Sequence, residues 1–263
     1  MDLIQTIILG LIQGLTEWLP ISSTGHLRLT EHFSGLKVPI LFDVLLHTGT
    51  LVVTLLFFRK DVRNILAALG KWDFKTENGK LIPLIIVGTV PTALIGVIFG
   101  NAIEALFSNL LPIAGAFVIC GVVLYSSKIG SERKESISYL EALAIGTAQG
   151  IAIIPGMSRS GLTIAVALLL GTKREKAFKF SFLLSVPAII GALGLILYEQ
   201  HEALALAGVG WAEILAGVAV SMIVGYFALS LLRKIVTHKK LYLFAFYCWL
   251  LSAVLITLSL RGF

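Results

Sequence analysis

Six uninterrupted apolar runs, each about as long as a bilayer is thick when coiled into a helix, leave this chain little choice of fold. They are Pro39–Phe58, Leu81–Phe99, Ile103–Tyr125, Phe178–Tyr198, Trp211–Leu232 and Leu241–Leu260. Crossing about 30 Å of hydrocarbon takes roughly 17–25 helical residues. Only 14% of the residues are charged, against 57% hydrophobic, far too few to cover a water-soluble surface. The fold class is therefore an all-α polytopic membrane protein.

Two more apolar segments are broken in the middle. The first runs from Leu3 to about Glu31 and is interrupted at Leu19-Pro20-Ile21-Ser22-Ser23-Thr24-Gly25. The second runs from about Tyr139 to Leu170 and is interrupted at Pro155-Gly156-Met157-Ser158-Arg159-Ser160-Gly161. Each piece is too short to cross, so each segment is read as a re-entrant helical hairpin.

The two hairpins resemble each other. Gly10, Gln13, Gly14, Ser22 and Gly25 match Gly146, Gln149, Gly150, Ser158 and Gly161 at a constant offset, with Thr24 opposite Ser160. Gly35 and Lys37 match Gly171 and Lys173, and Pro20 matches Pro155 with a slip of one. The chain reads as a duplication, residues 1–136 and 137–263, within one integrated membrane domain. Each half holds one hairpin and three spans. Three is odd, so the second half is inserted upside down, giving an inverted-topology repeat of six full spans and two hairpins.

Charge supplies an independent test. With the loop after Phe58 inside, seventeen of the 21 Lys and Arg residues fall in inner loops. Only Arg28, Lys37 and Arg261 fall outside, and Arg159 lies within the second hairpin. This positive-inside bias places both termini on the outer face of the cell membrane. It also accounts for the net charge of +6 without nucleic acid, since no basic, aromatic-interleaved segment is present. Cys120 and Cys248 lie inside apolar runs with no C-x-x-C spacing and are read as packing residues. Met1–Gln5 lacks the basic region and cleavage site of a signal peptide.

The broken tips carry the chemistry. Backbone that leaves the helix at membrane depth must be buried or line a cavity. Ser22, Ser23 and Thr24 come from one tip, Ser158 and Ser160 from the other, and each run precedes a helix beginning near Gly25 or Gly161. Hydroxyls beside the free N–H groups of a helix start suit a phosphate or diphosphate. Arg159 adds a charge that costs at least about 2.5–3.5 kcal/mol at the bilayer centre and whose fork binds phosphate oxygens in pairs. The alternative role for Arg159 is a structural pair with Glu17. Gln13 and Glu17 share a helix face just before the first break. Glu17 is open to three roles: general base, ligand of Mg²⁺ or Ca²⁺, or partner of Arg159. His26 follows the hydroxyl run, where it could move a proton or attack phosphorus. His47, inside an intact span, and Asp43, near its outer end, are read as structural.

These residues resemble the undecaprenyl-diphosphate phosphatase, or bacitracin-resistance, family. The signatures are L-T-E-W-L-P-I-S-S-T-G-H at Leu15–His26, P-G-M-S-R-S-G-L-T at Pro155–Thr163, F-D-V-L-L-H-T-G-T at Phe42–Thr50 and F-S-F-L-L-S-V-P at Phe180–Pro187. The resemblance implies hydrolysis of undecaprenyl diphosphate to the monophosphate, which recycles the carrier lipid and confers bacitracin resistance. It implies a divalent cation and a site open to the outer face. Its important residues carry over onto Glu17, Ser23, His26 and Arg159, with Ser22, Thr24, Ser158 and Ser160 around them. Many members have Glu-x-x-x-Glu where this chain has Gln13 to Glu17. Gln13 can still hold a metal through its carbonyl or a phosphate through its amide. The nucleophile is left as Ser23, His26 or water, with Ser23 preferred. A lipid-phosphate carrier is the competing reading, since broken inverted repeats also build transporters. Polyprenyl diphosphate and membrane lipids are the expected partners, and a homodimer is left open.

Overall fold

The computed structural model describes residues 1–36, 38, 40–106, 109–206 and 210–261. Pro39 and Lys37, read above as the start of a span and an outer charge, lie outside the described residues. Among the described residues the chain forms eleven α-helices and no strand. Helices α1 (Leu3–Trp18) and α2 (Ser23–Ser34) make the first broken segment, and α7 (Tyr139–Ile151) and α8 (Arg159–Leu169) the second. The rest are α3 (Ile40–Phe57), α4 (Arg59–Gly70), α5 (Leu81–Leu106), α6 (Leu110–Ser126), α9 (Arg174–Leu206), α10 (Trp211–Thr237) and α11 (Leu243–Leu260).

Local chemistry sets these limits. Asp2 and Gln5 form a capping box at the start of α1, and Ser138 and Glu141 form the equivalent box at α7. Pro20 disfavours helical backbone at Leu19, which is extended (φ −64°, ψ 139°) and ends α1. Ser22 then turns with φ 69°, a strained value for a residue with a side chain, before α2 begins. In the second hairpin Gly156 takes the positive φ, 97°.

Among the described residues five helices are long and apolar enough to cross a membrane, or six if α3 and α4, bent by 81° at Phe58, are taken together as one span. The sequence did not foretell α4, whose charged Arg59, Lys60 and Arg63 and exposed Leu66 and Leu69 suit a helix lying at the membrane surface. The third span begins later than expected. Helix α5 runs on through Ile103, and α6 starts at Leu110 with Pro112 in its first turn, where no N–H is missed.

Packing fixes the relative directions of the helices. Along α1, Gly10, Gly14 and Trp18 meet Gly217, Ser221 and Gly225 of α10 in rising order, so the two run the same way. Along α7, Gly146 and Gly150 meet Gly88 and Ile95 of α5, again in rising order. Phe57 and Phe58 at the end of α3 pack on Phe178 at the start of α9, so this equivalent pair runs oppositely. Helices α6 and α11 also oppose: the Ser252 hydroxyl donates to the Ala114 carbonyl (2.8 Å), while Tyr125 meets Tyr242. Each hairpin thus leans on a span from the other part of the chain.

A Cβ on Gly146 would lie 1.9 Å from the Gly88 carbonyl oxygen, with backbone on both sides. Gly146→Ala is expected to push α7 off α5 and destabilise the protein by about 1–3 kcal/mol. An unchanged thermal midpoint in detergent would contradict this packing.

The loops assigned to the inner face are tied together by ion pairs. Lys173 pairs with Glu135, Lys176 with Glu77, and Glu132 accepts from Arg174 (2.7 Å) and Lys239 (3.1 Å).

Candidate active site

The two hairpin tips touch. The Ser22 hydroxyl caps α2 by accepting from Gly25 N–H (3.3 Å) and also accepts from Gly156 N–H of the other tip (3.0 Å). In return the Ser160 hydroxyl donates to the Trp18 carbonyl (3.1 Å). Ser158 caps α8 by accepting from Gly161 N–H (3.2 Å), and its hydroxyl lies 3.3 Å from that of Ser160. A side chain at Gly25 would strike Phe117 and Gly156, and one at Gly161 would press on Pro20 and Leu124. Ser22, Ser160, Gly25 and Gly161 are therefore engaged in joining one tip to the other, while Ser158 caps its own helix. Thr24 is half-buried in the first turn of α2.

The remaining polar groups meet at Glu17, which is buried. The Ser23 hydroxyl donates to its Oε2 at 2.6 Å, and Gln13 Nε2 donates to the same oxygen at 3.3 Å. Arg159 forms an ion pair with Oε1 through Nη2 and lies over the Trp18 ring, 5.9 Å from its centroid. The structural pairing of Arg159 with Glu17 and its place at the hydroxyl cluster are thus both present. Two polar atoms here are buried without a hydrogen-bond partner among the described residues: Arg159 Nη1 and Gln13 Oε1. Unpaired buried polar atoms are costly, so both mark places for a ligand.

His26 faces elsewhere. Its Nδ1 bonds the Ser22 carbonyl (2.7 Å), its Nε2 bonds the Tyr247 hydroxyl (2.7 Å), and its ring stacks on Tyr247. It braces the first tip against α11, with neither ring nitrogen on Glu17 or Ser23. Sequence reasoning passed over His47, whose Nε2 is 3.3 Å from Glu17 Oε2. Its signal was the polar His inside the F-D-V-L-L-H-T-G-T run, dismissed because the span is intact.

Gln13 Oε1 and Glu17 offer two oxygen donors on one helix face, a set that suits a hard cation taking its other ligands from substrate phosphates. Among the described residues no cluster of three His, Cys, Asp or Glu exists to bind a cation unaided.

A cavity of about 240 Å³ opens at the opposite end of α3, lined by Phe57, Phe58, Phe178, Lys176, Lys179 and Arg233 among others. It does not reach Glu17. Phe58, Phe178, Phe182 and Trp18 follow one another as tilted ring pairs between the two, with the Phe182 ring centroid 5.3 Å from that of Trp18 and 4.7 Å from that of Phe178. These rings lie between the polar site and that cavity.

The model of the family described as "Bacitracin resistance protein BacA" matches residues 6–254. The undecaprenyl-diphosphatase of Carboxydothermus hydrogenoformans is 44% identical over 267 residues, covering 100% of this chain and 99% of that protein. Those of Halothermothrix orenii and Methanosphaera stadtmanae are 41% and 40% identical, each over 98% of this chain and 99% of the relative. With the family model spanning nearly every helix and relatives this similar end to end, the chain belongs to the bacitracin resistance protein BacA family.

Proposed function

We propose that this multi-pass membrane protein hydrolyses undecaprenyl diphosphate, or a closely similar polyprenyl diphosphate, to the monophosphate and inorganic phosphate. The observation that carries the reading is the meeting of Ser23 and Arg159, from opposite hairpins, on one buried carboxylate. Ser23 is the nucleophile. Glu17 Oε2 already accepts its hydrogen bond and takes the proton as Oγ bonds to the terminal phosphorus. The phosphoanhydride bond breaks, and polyprenyl monophosphate leaves with the proton. Water then attacks the phosphoserine and releases inorganic phosphate, restoring the Ser23 hydroxyl. Arg159 offsets charge on the transferring group, its unpartnered Nη1 reaching a phosphate oxygen. Gln13 Oε1 and Glu17 would hold a divalent cation, which would supply further charge neutralisation. His26 keeps the first tip in place.

The site opens to the outer face. The positive-inside rule assigns the loops that hold seventeen basic residues to the inner face, which supports this opening. A carrier would share the inverted architecture, but the named relatives are diphosphatases and nothing favours the carrier.

Intact spheroplasts carrying the protein are expected to release phosphate from an added, membrane-impermeant short-chain prenyl diphosphate. EDTA should stop release and Mg²⁺ or Ca²⁺ restore it. Release that appears only after the membrane is broken would overturn the outward opening, and release indifferent to EDTA would overturn the cation.

A further inference from the structure

We infer that His47 is a positioning residue that holds the Glu17 carboxylate in line with Ser23. The inference rests on the reading of Glu17 as the group that takes the Ser23 proton.

Two helices from different places in the chain reach each other here because they seat on the same turn of α10. Gly14 of α1 packs against Ser221, where a Cβ would lie 2.7 Å from the Ser221 carbonyl oxygen. Gly49 of α3 packs against the same residue, where a Cβ would lie 2.3 Å from the Ser221 hydroxyl oxygen. That hydroxyl shares its proton between the Val218 carbonyl of its own helix (2.9 Å) and the Leu46 carbonyl of α3 (3.2 Å), which ties α3 to this turn. Glu17 is nearly one turn beyond Gly14, and His47 two residues before Gly49. The shared seat brings their side chains to 3.3 Å.

The ring has little freedom. Its Nδ1 lies 2.8 Å from the Asp43 carbonyl one turn back on α3. A carbonyl and a carboxylate both only accept, so Nδ1 donates to Asp43 and Nε2 to Glu17, the ring carrying both protons. Three donors then surround Oε2: Ser23, Gln13 and His47, while Arg159 takes Oε1. Gln13 rides on α1 with Glu17, and Ser23 is the group to be activated. Of the three, His47 alone is anchored on a separate, intact span. It is the fixed point against which the carboxylate is set. Without it, Glu17 can turn both oxygens to the Arg159 fork, a geometry that fork favours, and Oε2 leaves Ser23.

Phosphate release from polyprenyl diphosphate by the purified protein tests this, with thermal midpoints measured in parallel. His47→Leu is expected to lower kcat about tenfold or more and leave KM within about twofold. His47→Gln, whose amide N–H can reach Oε2, should recover most of the lost kcat at an equal thermal midpoint. Wild-type kcat in His47→Leu, a change confined to KM, or a His47→Gln protein as slow as His47→Leu would each overturn the inference. Glu17→Gln is the companion variant. If it turns over like wild type, the reading of Glu17 falls and this inference with it. If it is inactive while His47→Leu is normal, only the role of His47 falls.

Discussion

Ser23→Ala is expected to reduce phosphate release by about 10³-fold or more while the protein inserts and folds normally. The size follows from the role: without Oγ no phosphoserine forms, and what remains is water attack in a preorganised site. Folding should be spared because Ser23 Oγ is bonded to Glu17, whereas the bonds that join the tips come from Ser22 and Ser160. Ser22→Ala supplies the contrast. It removes the acceptor for both Gly25 N–H and Gly156 N–H, and should lower thermal stability more than Ser23→Ala does. A rapid quench with labelled substrate should trap a phosphoenzyme in wild type and none in Ser23→Ala. Near-normal turnover in Ser23→Ala would remove Ser23 as nucleophile.

Arg159→Lys is expected to cost about 10²–10³ in kcat. The charge survives, but the planar fork that can grip Glu17 with one nitrogen and a phosphate oxygen with another does not. Lysine is a better choice here than alanine. Alanine would strand Glu17 in a buried site with its strongest partner gone, and breaking such a pair costs about 3–5 kcal/mol by itself. A steady-state comparison in detergent decides the matter: Lys at wild-type rate would mean that position 159 supplies charge and nothing more specific.

Much of this could be read from the residues in order. Apolar run length located the spans, and Pro20 and Pro155-Gly156 located the breaks, because covalent geometry at Pro and Gly acts locally. Parity of three spans per hairpin led to the expectation of an inverted repeat. The meeting of Glu17, Ser23 and Arg159 followed from the two tips facing each other. What sequence did not disclose depends on packing between distant segments. His47 looked idle because its partner is thirty residues away and is reached only through α10. His26 looked reactive because it follows the hydroxyls, yet Tyr247, far along the chain, turns it aside. Ser22 and Ser160, which join the tips, and Ser158, which caps α8, looked like phosphate ligands because a hydroxyl that caps a helix and one that grips an anion are spelled alike. Helix α4 escaped notice because its length and charge suit a loop as well as a surface helix.

The two tips resemble each other in sequence, and at the decisive position they differ: Ser23 in one stands where Arg159 stands in the other. Two identical halves inserted in opposite senses would bring together two serines or two arginines, never one of each. A nucleophile facing a cation needs unequal twins, and only a single polypeptide guarantees that every pairing has one of each kind. Joining the halves end to end thus does more than hold them together. It turns what would be a mirror-like centre into a polarised one, with a fixed donor side and a fixed acceptor side for the phosphoryl group.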